Sequence, residues 1–156
     1  MTLYLLDENV LREAGSRGNA NVRRWLATID DSNLRLSAAT LFEKRRGAEA
    51  LKRRDPERSA ALLAGINLLE KSFSDRVLPI DGSIVAEWTR LLGEKNKDRW
   101  DLALAATARV HGLVLVTRNV KDFAGRGVRL LNPFKDPPDE FDPCAADYAT
   151  IFIALC

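Results

Sequence analysis

Four acidic residues, far apart in the chain, each stand where an apolar run stops or a helix is due to begin: Asp7, Glu43, Asp101 and Asp122. Asp7 ends Leu3-Tyr4-Leu5-Leu6, and Glu43 follows the run from Leu34 to Thr40 by a few residues. Asp101 opens the helix-like stretch Leu102 to Val110, and Asp122 lies just beyond Val114-Leu115-Val116-Thr117. If those runs are strands of one parallel sheet, their carboxyl ends share an edge, and such edges bind ligands. Carboxylates gathered there are hard oxygen donors that suit Mg2+ or Mn2+.

Each acid also has a plainer explanation. Thr40-Leu41-Phe42-Glu43 has the spacing of a capping box, and Glu43 has Lys44 and Arg46 nearby for surface pairs of little energy. Asp98-Arg99-Trp100-Asp101 puts Asp98 at an N-cap with an acid three residues on. Asn119-Val120-Lys121-Asp122 repeats that spacing. A helix N-terminus stabilises a carboxylate with or without a metal, so one such acid carries no functional meaning; four converging on one edge form a candidate site. Asp7 is the hardest to explain structurally, its alternative role being to cap a helix from about Asn9. The only histidine, His111, sits at a helix end beside Gly112 and is expected to have no catalytic role. Ser37 is expected to help position Glu43 or a metal-bound water. Trp100, beside Asp101, reads as packing rather than a base-stacking residue.

Positioning these acids requires strands at Leu3–Leu6, Leu34–Ala38, Val77–Ile80, Leu113–Thr117 and Val128–Leu131. The third contains Pro79, which places it at a sheet edge or ends it. Between them the pattern predicts helices from about Asn9, over Val22–Ile29, from Leu41 to about Arg53, from Pro56 to about Phe73, over Ser83–Lys95 and Trp100–His111, and a short turn at Val120–Phe123. Pro56 suits a first helical turn, and Gly112 a helix C-terminus. Alternating strands and helices imply a mostly parallel sheet covered on both faces.

At 156 residues the chain is long enough for one domain with a substantial core. No apolar stretch approaches the ~20 residues of a membrane span, and the start lacks a basic region and cleavage site, so a cytoplasmic protein without a signal peptide is expected. Both cysteines, Cys144 and Cys156, fall near the end, which points to a disulfide-independent body. The net charge of +2 is unevenly spread. Residues 136–156 hold five acids and no Lys or Arg, leaving 24 basic against 17 acidic residues in the rest, a balance of +7. Lys44, Arg45, Arg46, Lys52, Arg53, Arg54 and Arg58 form a basic region that begins next to Glu43, and a basic body suits a polyanionic partner. After Asn132, four prolines punctuate an acidic linker ahead of an apolar stretch, Ala145–Leu155. The linker is expected to lie against the basic region and tune access to it.

Several runs resemble the PIN-domain ribonucleases, specifically the VapC-type toxins of bacterial toxin–antitoxin pairs. Leu5-Leu6-Asp7-Glu8-Asn9-Val10-Leu11 is similar to the family's opening motif. Ser37 to Gly47 is similar to its second signature, with the glutamate at Glu43. Asp101-Leu102-Ala103-Leu104-Ala105-Ala106-Thr107-Ala108 resembles its Ala-rich helix, Leu115 to Phe123 its closing motif, and Val128 to Phe134 the end of the fold. The resemblance implies a PIN-like three-layer α/β/α sandwich with a central, mostly parallel sheet over residues 1–134, followed by a Pro-rich acidic extension over 135–156. It implies a Mg2+-dependent (or Mn2+-dependent) endoribonuclease toxin. Asp7 and Asp101 would be principal metal ligands, Glu43 would support them, and Asp122 or Asn119 would complete the acidic pocket. Lys44, Arg45, Arg46 and Arg118 are the expected RNA contacts. A cognate antitoxin that covers the site and homodimerisation are further implications. Two departures are Glu8, where the family has a small or hydroxylated residue and a solvent-facing carboxylate is expected here, and the extension itself.

Three other readings compete. One is a PIN fold that has lost activity and only holds RNA or a protein. Another is a receiver-type domain with Asp7-Glu8 as the acidic pair and Asp81 as phosphoacceptor, but Lys121 lies four residues past Thr117, a poor fit to the receiver's lysine. A haloacid-dehalogenase-type phosphatase would need an Asp where Asn9 stands.

Overall fold

The computed structural model describes residues 1–94 and 99–143. The chain runs through β1 (Tyr4–Leu6), α1 (Glu8–Leu11), α2 (Ala20–Thr28), β2 (Leu34–Ser37), α3 (Ala38–Leu51), α4 (Pro56–Phe73), β3 (Val77–Leu78), α5 (Gly82–Leu92), α6 (Trp100–His111), β4 (Val114–Val116), α7 (Val120–Phe123), β5 (Arg129–Asn132) and β6 (Asp139–Phe141). These strands form one sheet in the order β3-β2-β1-β4-β5-β6. The first five are parallel and β6 is antiparallel to β5.

Both faces of the sheet are covered, which is why its strands read as continuous apolar runs rather than alternating ones. Leu5, Leu115 and Leu130 turn to the side packed by α6 with Trp88 and Leu91 of α5. Leu6, Val114, Val116 and Leu131 turn to the other, against Val10, Val22, Trp25 and Phe73. The result is a three-layer α/β/α sandwich. Residues Leu102 to Ala108 of α6 are all buried, so the middle of this helix is covered on every side, as a mostly apolar run inside a core must be. Gly112 ends it in the left-handed conformation at φ 65°, which glycine adopts without steric cost.

β3 is the sheet's edge strand and is only two residues long, as Pro79 requires. α3 differs from expectation. It begins at Ala38, directly after β2, because Ser37 in extended conformation accepts a hydrogen bond from Ala39 N at 3.0 Å and acts as the cap. Thr40 therefore lies inside the helix, buried and without a hydrogen-bond partner for its hydroxyl. The expected capping box does not form, and Glu43 stands on the second turn. Ser37 positions Glu43 only through the helix that it starts. The proposed cap Asp98 lies outside the described residues; Arg99 precedes α6 and makes no side-chain cap bond. Asn119 likewise caps α7 without its side chain.

β6 was not legible in the acidic, proline-punctuated extension. Its pairing of Leu130 with Phe141 and Asn132 with Asp139 lengthens the sheet, and Phe141 packs on the core. Asp136 pairs with Arg24 of α2. The described part of the extension thus lies along β5 and α2, not on the basic region of α3 and α4, because unpaired β5 backbone groups offer it a ladder. The expected apolar stretch 145–155 and both cysteines lie outside the described residues.

Candidate functional site

The register of the sheet builds the centre of the site. Leu6 is paired with Val116, so the residues that follow them, Asp7 and Thr117, leave neighbouring strands side by side. Asp7 N donates to Val116 O at 3.0 Å, and Thr117 N to Leu131 O at 3.0 Å. Asp7 exposes only 9 % of its surface. Its Oδ1 accepts from Glu8 N at 2.7 Å, which caps α1, while Oδ2 accepts from Thr117 Oγ1 at 2.8 Å and Asn9 Nδ2 at 3.1 Å. Thr117 Oγ1 also accepts from Asn119 N at 3.0 Å, and Asn9 Oδ1 from Arg118 N at 3.1 Å. Asp7 thus serves both as a cap and as the buried carboxylate at the sheet edge. Burial pushes its carboxyl above the ordinary range, opposed by the hydrogen bond from Thr117.

Glu43 faces this centre from α3. Its carboxyl is also raised, first by burial and then by repulsion from Asp7, with Glu8 and Asp101 adding to the repulsion and Arg46 opposing it. Four carboxylates therefore share one electrostatic neighbourhood. Asp101, in the first turn of α6, is gripped by the guanidinium of Arg99, whose Nε donates to Oδ1 at 3.2 Å and whose Nη2 donates to Oδ2. Arg99 is held above its ordinary value by that hydrogen bond and, further, by the charges of Asp101 and Asp122. Asp122 lies on the exposed side of α7, and its charge adds only the smallest of the influences on Arg99.

Glu8 does not face solvent, contrary to expectation. Its side chain is three-quarters buried, with Lys44 Nζ 2.9 Å from Oε2 and Arg12 Nε 3.8 Å from Oε1. An isolated buried carboxylate is costly, and the pairing with Lys44 offsets that cost. Lys44 is therefore engaged within the chain. Arg45 is too, donating to Glu70 and Asn67 across the α3–α4 pair. Arg46 and Arg118 are exposed; the Arg118 guanidinium stands 5.2 Å from the Phe134 ring centroid. Beside Glu8 and Glu43, an apolar cleft of about 430 Å3 opens between α3 and α4, lined by Leu51, Leu62, Ile66 and Leu69. Asp81 is occupied as the cap of α5, accepting from Ile84 N at 3.1 Å, and β2 separates its strand from β1.

Only hard oxygen donors gather here, and their mutual repulsion is what a divalent cation would relieve, so the donor set fits Mg2+ or Mn2+. As they stand, among the described residues no three acidic, histidine or cysteine side chains are close enough to hold one ion, and Asp101 is turned to Arg99. Thr117, Asn9 and Arg99 were missed as site residues. The first two carried a signal in being polar at the ends of apolar runs, while Arg99 carried none beyond proximity to Asp101.

Comparisons with known proteins identify the family. A family model described as PIN domain matches residues 4–125. The toxin FitB of Neisseria gonorrhoeae is 29% identical over 86% of this chain and 100% of its own length. Plasmid stability protein StbB of Pseudomonas syringae is 30% identical over 85% of this chain and 99% of its own. The VapC ribonuclease Y4jK of Sinorhizobium fredii is 29% identical over 85% and 99% respectively. Among solved structures, the FitAcB crystal structure from Neisseria gonorrhoeae superposes with a TM-score of 0.72 at 28% identity, covering 85% of this chain and 99% of that one. DNA-bound VapBC from Salmonella typhimurium gives 0.61 at 27% identity, over 83% and 97%.

Proposed function

Because the chain belongs to the PIN-domain family and is homologous to FitB and VapC toxins, we propose that it is a divalent-metal-dependent endoribonuclease, the toxin of a toxin–antitoxin pair. The observation that carries this reading is the buried Asp7 at the carboxyl end of β1, held by Thr117 and Asn9, with Glu43 on α3 raised first by burial and then by the charge of Asp7. Asp7 and Asp101 would hold the ion, supported by Glu43. Asp122 or Asn119 would complete the pocket, Asp122 by its charge and Asn119 by its place beside Thr117. When bound, Mg2+ or Mn2+ supplies a water activated for attack on a phosphodiester and charge stabilisation for the leaving oxygen.

The chain's own residues orient and desolvate. Thr117 and Asn9 fix the Asp7 carboxylate by donating to its Oδ2. Glu43, its carboxyl raised by burial and then by Asp7, is assigned to support the ion beside Asp7 and Asp101. Exposed Arg46 and Arg118 would meet RNA phosphates, contacts that position without reading sequence, whereas Lys44 and Arg45 act mainly as internal ties. The apolar cleft beside Glu8 and Glu43 is assigned to the antitoxin, as the neighbours FitAcB and VapBC are complexes. Among the described residues no helix is long and apolar enough to cross a membrane.

The decisive experiment incubates purified, antitoxin-free protein with total RNA in Mg2+, Mn2+ or EDTA, beside Asp7→Asn and Asp101→Asn. Metal-dependent cleavage lost in both variants is expected. Cleavage that persists in EDTA, or in either variant, would overturn the assignment.

A further inference from the structure

Glu43 on α3 and Asp101 on α6 each follow an aromatic residue in the chain, and the two rings touch. Phe42, the neighbour of Glu43, stacks on Trp100, the neighbour of Asp101, with centroids 4.7 Å apart and planes inclined by 22°. Trp100 in turn leans on Trp88 at 5.1 Å and 50°, and Trp88 Nε1 donates to Arg99 O at 3.1 Å. The row is therefore anchored from beneath by the core and by the backbone of the residue that grips Asp101. Its outer end is Phe42, partly exposed beneath the Arg46 side chain. Phe42 is 44% exposed, with the Arg46 guanidinium 5.9 Å from its centroid.

An exposed phenylalanine backed by two tryptophans is a rigid, flat, apolar surface. A charge accompanies it: the Arg46 guanidinium, one turn on along α3, stands over the ring. Protein-docking surfaces are contiguous apolar patches, whereas a single ring flanked by an arginine suits a nucleobase and its phosphate. Unpaired bases in RNA are held by stacking on aromatic rings and guanidinium planes.

We propose that Phe42 is the stacking platform for an unpaired base of the RNA substrate, at a nucleotide next to the cleaved phosphate, with Arg46 closing over the base or its phosphate. Trp100 contributes as the ring beneath Phe42 rather than as the contact surface. The inference rests on the ribonuclease reading and deepens it: it names a single-stranded substrate and the side chain that receives one of its bases.

The test uses the full chain in EDTA, so that binding is separated from cleavage, and a fluorescent ten-nucleotide single-stranded RNA followed by anisotropy. Phe42→Leu keeps apolar volume but removes the π face, and should weaken binding by about five- to hundredfold; Phe42→Trp should keep or improve it. Arg46→Gln should lower the salt dependence of binding, which Phe42→Leu should leave unchanged. Circular dichroism melting confirms that the variants fold. If wild type binds and cleaves RNA but Phe42→Leu binds equally well, the platform is refuted while the ribonuclease reading stands. If wild type binds no RNA in EDTA, the platform is refuted, and the ribonuclease reading is judged by metal-dependent cleavage alone. If Phe42→Leu instead changes the sedimentation of the protein with RNA binding intact, the ring belongs to a contact between copies and the proposal is overturned.

Discussion

Replacing Thr117 by valine tests the physical account of the site at its most buried point. Thr117 is fully buried, and its hydroxyl does three things: it donates to Asp7 Oδ2 at 2.8 Å, and accepts from Asn119 N at 3.0 Å and Asn9 Nδ2 at 3.3 Å. Valine preserves the shape and removes all three. Losing a hydrogen bond to a charged group costs about 1.5–3 kcal/mol, and the neutral bonds together add about 1 kcal/mol. The metal-free protein should therefore lose about 2.5–4 kcal/mol at pH 7, a large share of the ~5–15 kcal/mol that holds a domain together. For a chain of this size the melting midpoint should fall by about 5–16 °C. The pH dependence supplies the sharper check. Asp7 is already raised by burial, and Thr117 is the largest of the causes that lower it, so the substitution moves the carboxyl further up. A folded state that holds its proton more tightly than the unfolded state is favoured at low pH and loses stability as pH rises through the folded value. The deficit of Thr117→Val should thus grow as pH rises from near 4 to 8. Urea unfolding at several pH values, with Thr117→Ser as a hydroxyl-retaining control, measures it. A deficit below about 0.5 kcal/mol, or one equal at both ends of the pH range, would refute the claim that this hydroxyl supports an ionised Asp7.

Two further outcomes follow from the ion pairs. Arg99→Gln should release Asp101 and tighten Mn2+ binding by up to about fivefold, the scale of a half-exposed pair; titration calorimetry showing weaker binding would mean that Arg99 helps to build the site instead. Glu87, bonded by Arg90 and Arg109, has its carboxyl lowered to about 2, so its contribution to stability is present above the ordinary glutamate range and lost as pH falls towards 2. Glu87→Gln should cost about 0.5–1 kcal/mol at pH 7 and nothing near pH 2, and an effect independent of pH in urea titrations would contradict the pairing.

Much of the fold was legible because buried strands and amphipathic or fully apolar helices leave direct periodic marks. Pro56 and Gly112 mark helix ends where the structure has them, and the all-apolar run after Asp101 is the central helix. The start of α3 was misread because the spacing of Thr40 and Glu43 suits a cap, whereas Ser37 caps the helix three residues earlier, with no linker between strand and helix. β6 was invisible because Asp139-Glu140-Phe141 carries no strand pattern of its own; its ladder is supplied by β5.

The order of residues along the chain determined which acids end strands or open helices, and hence that Asp7, Glu43, Asp101 and Asp122 were the ones to consider. Only the tertiary structure decided what each of them meets. Leu6 opposite Val116 sets Asp7 against Thr117 across 110 positions of chain, Lys44 is drawn to Glu8, and Arg45 reaches Glu70 across the α3–α4 pair. Spacing records neighbours on one element, whereas charge pairing and desolvation depend on distances between elements, and those exist only once the sheet has closed.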